Sequence, residues 1–182
     1  MIDPINELKT RAAMLHQRIA AGEAGARPRL RALPEFTKAD AAALEANAPD
    51  IRLKHCLAVV ARELGFQSWE HARRVLRGDA TEQDCGTLLY DASVRGTLNV
   101  WFAHYDEARA HLDEVRRVRG EHYLLSYRTH FLVVDRHFIE ALGWDHADPD
   151  WRGLDFDWAR PRDPAARQRL YGKRLHAVRG ES

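Results

Sequence analysis

Residues 122–135 read HYLLSYRTHFLVVD, and two short runs within this stretch decide the class of fold. Tyr123 to Tyr127 and His130 to Val134 are rich in aromatic and β-branched residues and are of strand length. A hairpin turning at Arg128-Thr129 would set Tyr127 opposite His130 and His122 opposite Asp135. Upstream, Leu98 to Ala103 has the same character. Between these runs, Tyr105 to Val118 carries Ala108, Leu112, Val115 and Val118 on one side and charges on the other, and Gly120 ends it. The order strand, helix, strand, strand predicts an α+β fold, with a small sheet of about three strands packed with helices.

Outward from this stretch, the punctuation is helical. Asp135 is placed to cap a short helix through Phe138, Ile139 and Leu142 to Gly143, and Asp148-Pro149 and Asp163-Pro164 repeat an Asp-cap, Pro-first signature. Near the start, Asp3, Pro4 and the spacing Ile5, Leu8, Ala12, Leu15, Ile19 predict a helix ended by Gly22. Gly22 to Pro34 reads as an irregular connection whose Arg27, Arg29 and Arg31 face solvent. Thr37 is expected to cap a second helix closed by Pro49, and Asp50 a third whose stripe is Leu53, Cys56, Leu57, Val60 and Leu64. Gly65 then supplies a left-handed turn, Ser68 caps a fourth helix through Leu76, and Gly78 stops it.

The helix pair carries a recognisable pattern. Leu57, Ala61, Arg62, Leu64, Gly65, Phe66, Ser68 and Trp69 fit Leu-x-x-x-Ala-Arg-x-Leu-Gly-Phe-x-Ser/Asp-Trp. This resembles the bacterial glyoxalase-related protein domain, over less than half of the chain, with the stretch from Ala26 to Pro49 longer than the family pattern. The resemblance implies a helical accessory module and brings no catalytic residue with it. The polar, aperiodic residues 79–86 then separate two expected domains, a helical module at 1–78 and a small α+β domain at 87–182.

Composition narrows the function classes. Of 182 residues, 45% are hydrophobic and 30% charged, as in a folded soluble chain. No run approaches the apolar length of a membrane helix and no leader pattern opens the chain, so no membrane association is expected. Two cysteines, Cys56 and Cys85, are too few for a disulfide framework, and a cytoplasmic setting is expected. Residues 1–78 hold 13 Lys and Arg against 9 Asp and Glu, and residues 79–182 hold 15 against 18. Neither half is basic enough to read as a nucleic-acid surface on charge alone. With no phosphate loop, dinucleotide turn or serine elbow, no cofactor is expected.

The leading expectation is a non-catalytic accessory or regulatory protein that binds a protein or nucleic-acid partner. Arg73, Arg74 and Arg77 on the fourth helix, with Arg167, Lys173 and Arg174 on the last, are the candidate binding residues, because phosphate affinity rises with cations presented together. Against base reading by the fourth helix stand His71, where DNA-binding helix pairs bury an aliphatic residue, and Glu70. The alternative is a small metal-independent enzyme with His122 or His130 as base, Asp135 as orienter and Arg128 holding an anionic substrate. His104, His111, His122, His130 and His137 crowd one region but match no metal-binding pattern, so no metal is expected. Trp144, Trp151 and Trp158 are expected to anchor an irregular acidic segment to the core.

Overall fold

The structure, a computed structural model, describes residues 3–79 and 82–178 of the chain. The fold is α+β, and the chain divides into two compact units, one made of Ile5–Arg73 and the other of residues 74–178 with Asp3 and Pro4. The division falls inside a helix, a few residues before the polar stretch at 79–86; Ala80 and Thr81 of that stretch lie outside the described residues.

The first unit is helical. Helix α1 (Pro4–Ala20) buries Leu8, Ala12, Leu15 and Ile19 on one face, as its spacing requires. Two 3-10 turns, Arg27–Ala32 and Pro34–Phe36, follow. Their arginines make contacts at the surface: Arg29 pairs with Glu63 at 2.6 Å, Arg27 with Glu45 at 3.2 Å, and exposed Arg31 donates its Nε–H to the Ala39 carbonyl. Helix α2 (Ala41–Asn47) is capped by Asp40, whose Oδ1 accepts from Ala43 N–H, and not by Thr37, whose hydroxyl bonds the Leu33 carbonyl. Helix α3 (Leu53–Glu63) starts after Arg52, with Asp50 left in the preceding turn; His55 Nδ1 accepts the Arg52 N–H at the helix start.

Gly65 takes φ +77° between α3 and α4 (Trp69–Leu76), a conformation that a side chain would penalise. Ser68 Oγ accepts from His71 N–H at the start of α4. The core here is Cys56, Val59, Val60, Ala61, Phe66 and Ala72. His71 belongs to it: 5% exposed, it stacks edge-on against Phe66, and its Nδ1 accepts the Gln67 N–H.

The second unit is built on three antiparallel strands, β1 (Val100–Phe102), β2 (His122–Tyr127) and β3 (His130–Asp135), in the order β1-β3-β2. Helix α5 (Tyr105–Arg119) carries the chain from β1 across to β2, and β3 returns between them. The hairpin register is the one expected, Tyr127 opposite His130 and His122 opposite Asp135. Partners across a ladder share a face, so Val100, Val133 and Leu124 lie on one side with Phe102 and Phe131. There α5 covers them with Ala108 and Leu112.

The opposite face meets aromatic rings. Tyr123 packs edge-on against Trp151, which with Trp144 and Trp158 forms a buried cluster closed by Tyr171. The three tryptophans are at most 3% exposed, so they do anchor the segment that holds them. That segment contains α7 (Pro149–Gly153) and lies between α6 (Arg136–Ala141) and α8 (Pro164–Val178). Asp135, Asp148 and Asp163 each accept a backbone N–H at the start of the helix that follows.

Candidate functional site

The sheet treats its two edges differently. The free side of β2 is closed by residues 156–158: Leu124 N–H donates to the Phe156 carbonyl and Trp158 N–H donates back to the Leu124 carbonyl, each at 2.8 Å. Reaching this position requires Asp155 and Phe156 to sit at φ +56° and +59°, a left-handed pair without glycine. Side chains of α5 hold them there. Arg109 pairs with Asp155 at 2.9 Å, the Arg116 guanidinium lies 3.5 Å from the Phe156 ring centre, and Tyr105 OH donates to buried Asp157 at 2.5 Å.

The free side of β1 has no such cover. Among the described residues, the backbone of residues 98–103 makes no hydrogen bond beyond the ladder to β3. Leu98 is fully exposed, Val100 is 47% exposed and Trp101 42%. Trp101 sits against Tyr90 and Tyr127, with ring centres 5.5 and 6.0 Å away. An open edge with exposed apolar side chains is a template for a further strand, which is why proteins ordinarily blunt such edges with charge, proline or cover.

Beside this edge, on the α5 side, lies a cleft of about 450 Å³, within the size range of ligand sites. Val100, Val115, Val118 and Val133 give it an aliphatic wall, extended by Leu98. Its rim is polar: His111, Glu114 and Arg119 from α5, and His122 and Asp135 from the ends of β2 and β3. These rim residues follow from two periodicities. Positions 111, 114, 115, 118 and 119 recur along one side of a helix, and 122 and 135 are ladder partners. Within the described residues, neither Glu114 nor Arg119 makes an ion pair.

The four residues of the enzymatic alternative do not form one site. His122 and Asp135 meet at one end of the hairpin, whereas His130 and Arg128 lie at its turn, about 17 Å away for five strand residues. Asp135 Oδ1 accepts from Phe138 N–H, and the contact made by His122 Nδ1 is to the Gly120 carbonyl at 3.4 Å. These four side chains therefore do not make up a base, orienter and anion-holder arrangement. The cysteines supply no nucleophile in its place, because burial pushes both thiols up and keeps them protonated at neutral pH. Among the described residues, no three His, Cys, Asp or Glu side chains are grouped to hold a metal ion.

The basic set is corrected as well. Arg167 and Arg174 are 5% and 4% exposed, and their guanidinium groups serve the interior. Arg167 donates to the carbonyls of Trp158 and Gly78, and Arg174 to that of Leu88 and to Asp91. Lys173 bridges Asp148 and Asp150, Arg73 pairs with Glu70, and Arg74 with Glu82; Arg77 is exposed. Charge along a helix says nothing about which cations the core uses for its own carbonyls and carboxylates. The cleft and edge carried a partial signal: the apolar character of residues 98–103 marked a strand, but not that it would be left at the rim.

Compared with known proteins, the chain matches no family model, no curated protein and no solved structure. No helix among the described residues is long and apolar enough to cross a membrane.

Proposed function

We propose that this chain is a non-catalytic accessory or regulatory protein of the cytoplasm that binds a protein partner by accepting an extended segment along β1. The observation that carries the reading is the unpaired β1 edge with Leu98, Val100 and Trp101 exposed beside a cleft. In strand addition, main-chain hydrogen bonds supply affinity, and pockets for alternate side chains supply selectivity. Trp101, braced by Tyr90 and Tyr127, has the character of a binding hot spot. The contrast with β2 supports it further, since there strained backbone and three α5 side chains are committed to closing an edge. Engagement of most candidate cations within the fold argues against the nucleic-acid version. Two buried, unpaired cysteines suit a reducing compartment, and the Leu57–Trp69 pattern suits an accessory role for the helical unit.

A photo-crosslinking residue placed at Val100 in the native host tests this. The control position is Leu53 of the helical unit, which is apolar and 45% exposed. Discrete adducts at position 100, lost on introducing Trp101→Lys, are expected. Labelling at position 100 no different from that at position 53 would sink the reading.

A further inference from the structure

We infer that the segment received at β1 presents a lysine-type side chain, an aliphatic stem ending in a cation, to the cleft on the α5 side. The inference rests on the strand-addition reading. Successive side chains of an added strand point to opposite faces, so every second one lies on the face of Val100, where the cleft opens. The stem has Val100, Val115 and Val118 to lie on. Beyond the valines stand Glu114 and Asp135, two carboxylates without an ion pair among the described residues, against the single guanidinium of Arg119. A side chain that buries its methylenes on an apolar wall and keeps its charged end at a wet rim is the arrangement that lysine adopts.

The size of the edge argues for a short segment over a second copy of the chain. Stable dimer interfaces bury at least about 1,200 Å², and β1 offers only the three residues Val100–Phe102 as a ladder. A peptide whose one long side chain fills a neighbouring cleft needs no more than that.

The test uses the full chain and three fluorescein-labelled octapeptides of alternating threonine and valine, with one central valine replaced by lysine, norleucine or glutamate. Fluorescence polarisation should show the lysine peptide binding about tenfold more tightly than the norleucine peptide, the gain from one charge-assisted contact. That advantage should vanish in Glu114→Gln/Asp135→Asn, in which the asparagine still caps α6. Equal binding of the lysine and norleucine peptides overturns the inference, and preference for the glutamate peptide overturns it in favour of Arg119. Both of those outcomes leave strand addition standing if Trp101→Lys abolishes binding. Failure of strand addition looks different: none of the three peptides binds, or all bind Trp101→Lys unchanged, and both readings fall.

Discussion

His122 and Asp135 face each other across the β2–β3 ladder, yet the carboxylate is turned to the backbone: its Oδ1 accepts the Phe138 N–H and starts α6. Asp135 therefore does structural work at a strand-to-helix corner. Asp135→Ala should cost about 1 kcal/mol of stability, the usual value of a lost cap, whereas Asp135→Asn should stay within a few tenths of the parent. Urea unfolding of both variants checks this. Equal losses for the two would show that charge, and not capping, is what Asp135 contributes.

Arg174 belongs to the core of the second unit, where its Nε donates to the Leu88 carbonyl and its terminal nitrogen pairs with Asp91. Arg174→Ala takes the guanidinium donors away from the Leu88 carbonyl and from Asp91 Oδ2, leaving Asp91 only the Ser93 N–H and hydroxyl on its other oxygen. Breaking a buried pair from one side typically costs about 3–5 kcal/mol; Asp91 keeps about a quarter of its side-chain surface in water, so a loss near 3 kcal/mol is expected. Any affinity for nonspecific duplex DNA should be the same in Arg174→Ala and the parent. A selective loss of DNA binding at unchanged stability would restore Arg174 to the surface set.

Gly65 joins α3 to α4 at φ +77°. An alanine there pays the steric cost of the left-handed region, about 1–2 kcal/mol, and recovers part of it by restricting the unfolded chain. Gly65→Ala should thus lower the unfolding free energy by about 1 kcal/mol. Gly25 makes the control, since it has open space around it and an ordinary φ. Gly25→Ala should be neutral or slightly stabilising; identical effects at the two glycines would contradict the turn geometry.

Local rules explain which parts of this structure could be read in advance. Asp-Pro at 148–149 and 163–164, Asp135 and the hairpin at Arg128-Thr129 depend on neighbours within four residues, and each is found where the pattern placed it. Thr37 and Asp50 failed as caps for an equally local reason: Thr37 follows and Asp50 ends a proline-containing 3-10 turn that delays the helix. The site was another matter. That β1 lies at an edge and β3 at the centre follows from the crossover of α5, and the burial of Arg167 and Arg174 follows from carbonyls more than eighty residues away for Gly78 and Leu88. Neither relation leaves a mark in the spacing of nearby residues.

Asp150 makes the last prediction, because its carboxylate joins α7 to α8. Burial alone would raise its pKa, but hydrogen bonds from Arg169 and Lys173 outweigh that and hold it below the usual carboxylate value. A group depressed in the folded state contributes stability that is fully present above its unfolded value, about 3.9, and that is lost as pH falls through the folded value. Wild type should therefore exceed Asp150→Asn in stability at pH 7, with the gap narrowing as pH drops below about 4. Arg169 and Lys173 are 32% and 47% exposed, so added salt should also narrow the gap at pH 7. Urea midpoints at pH 7 and pH 3 make the comparison. A gap that is constant across that range would mean that Asp150 acts through hydrogen bonding that asparagine cannot reproduce, and not through its charge.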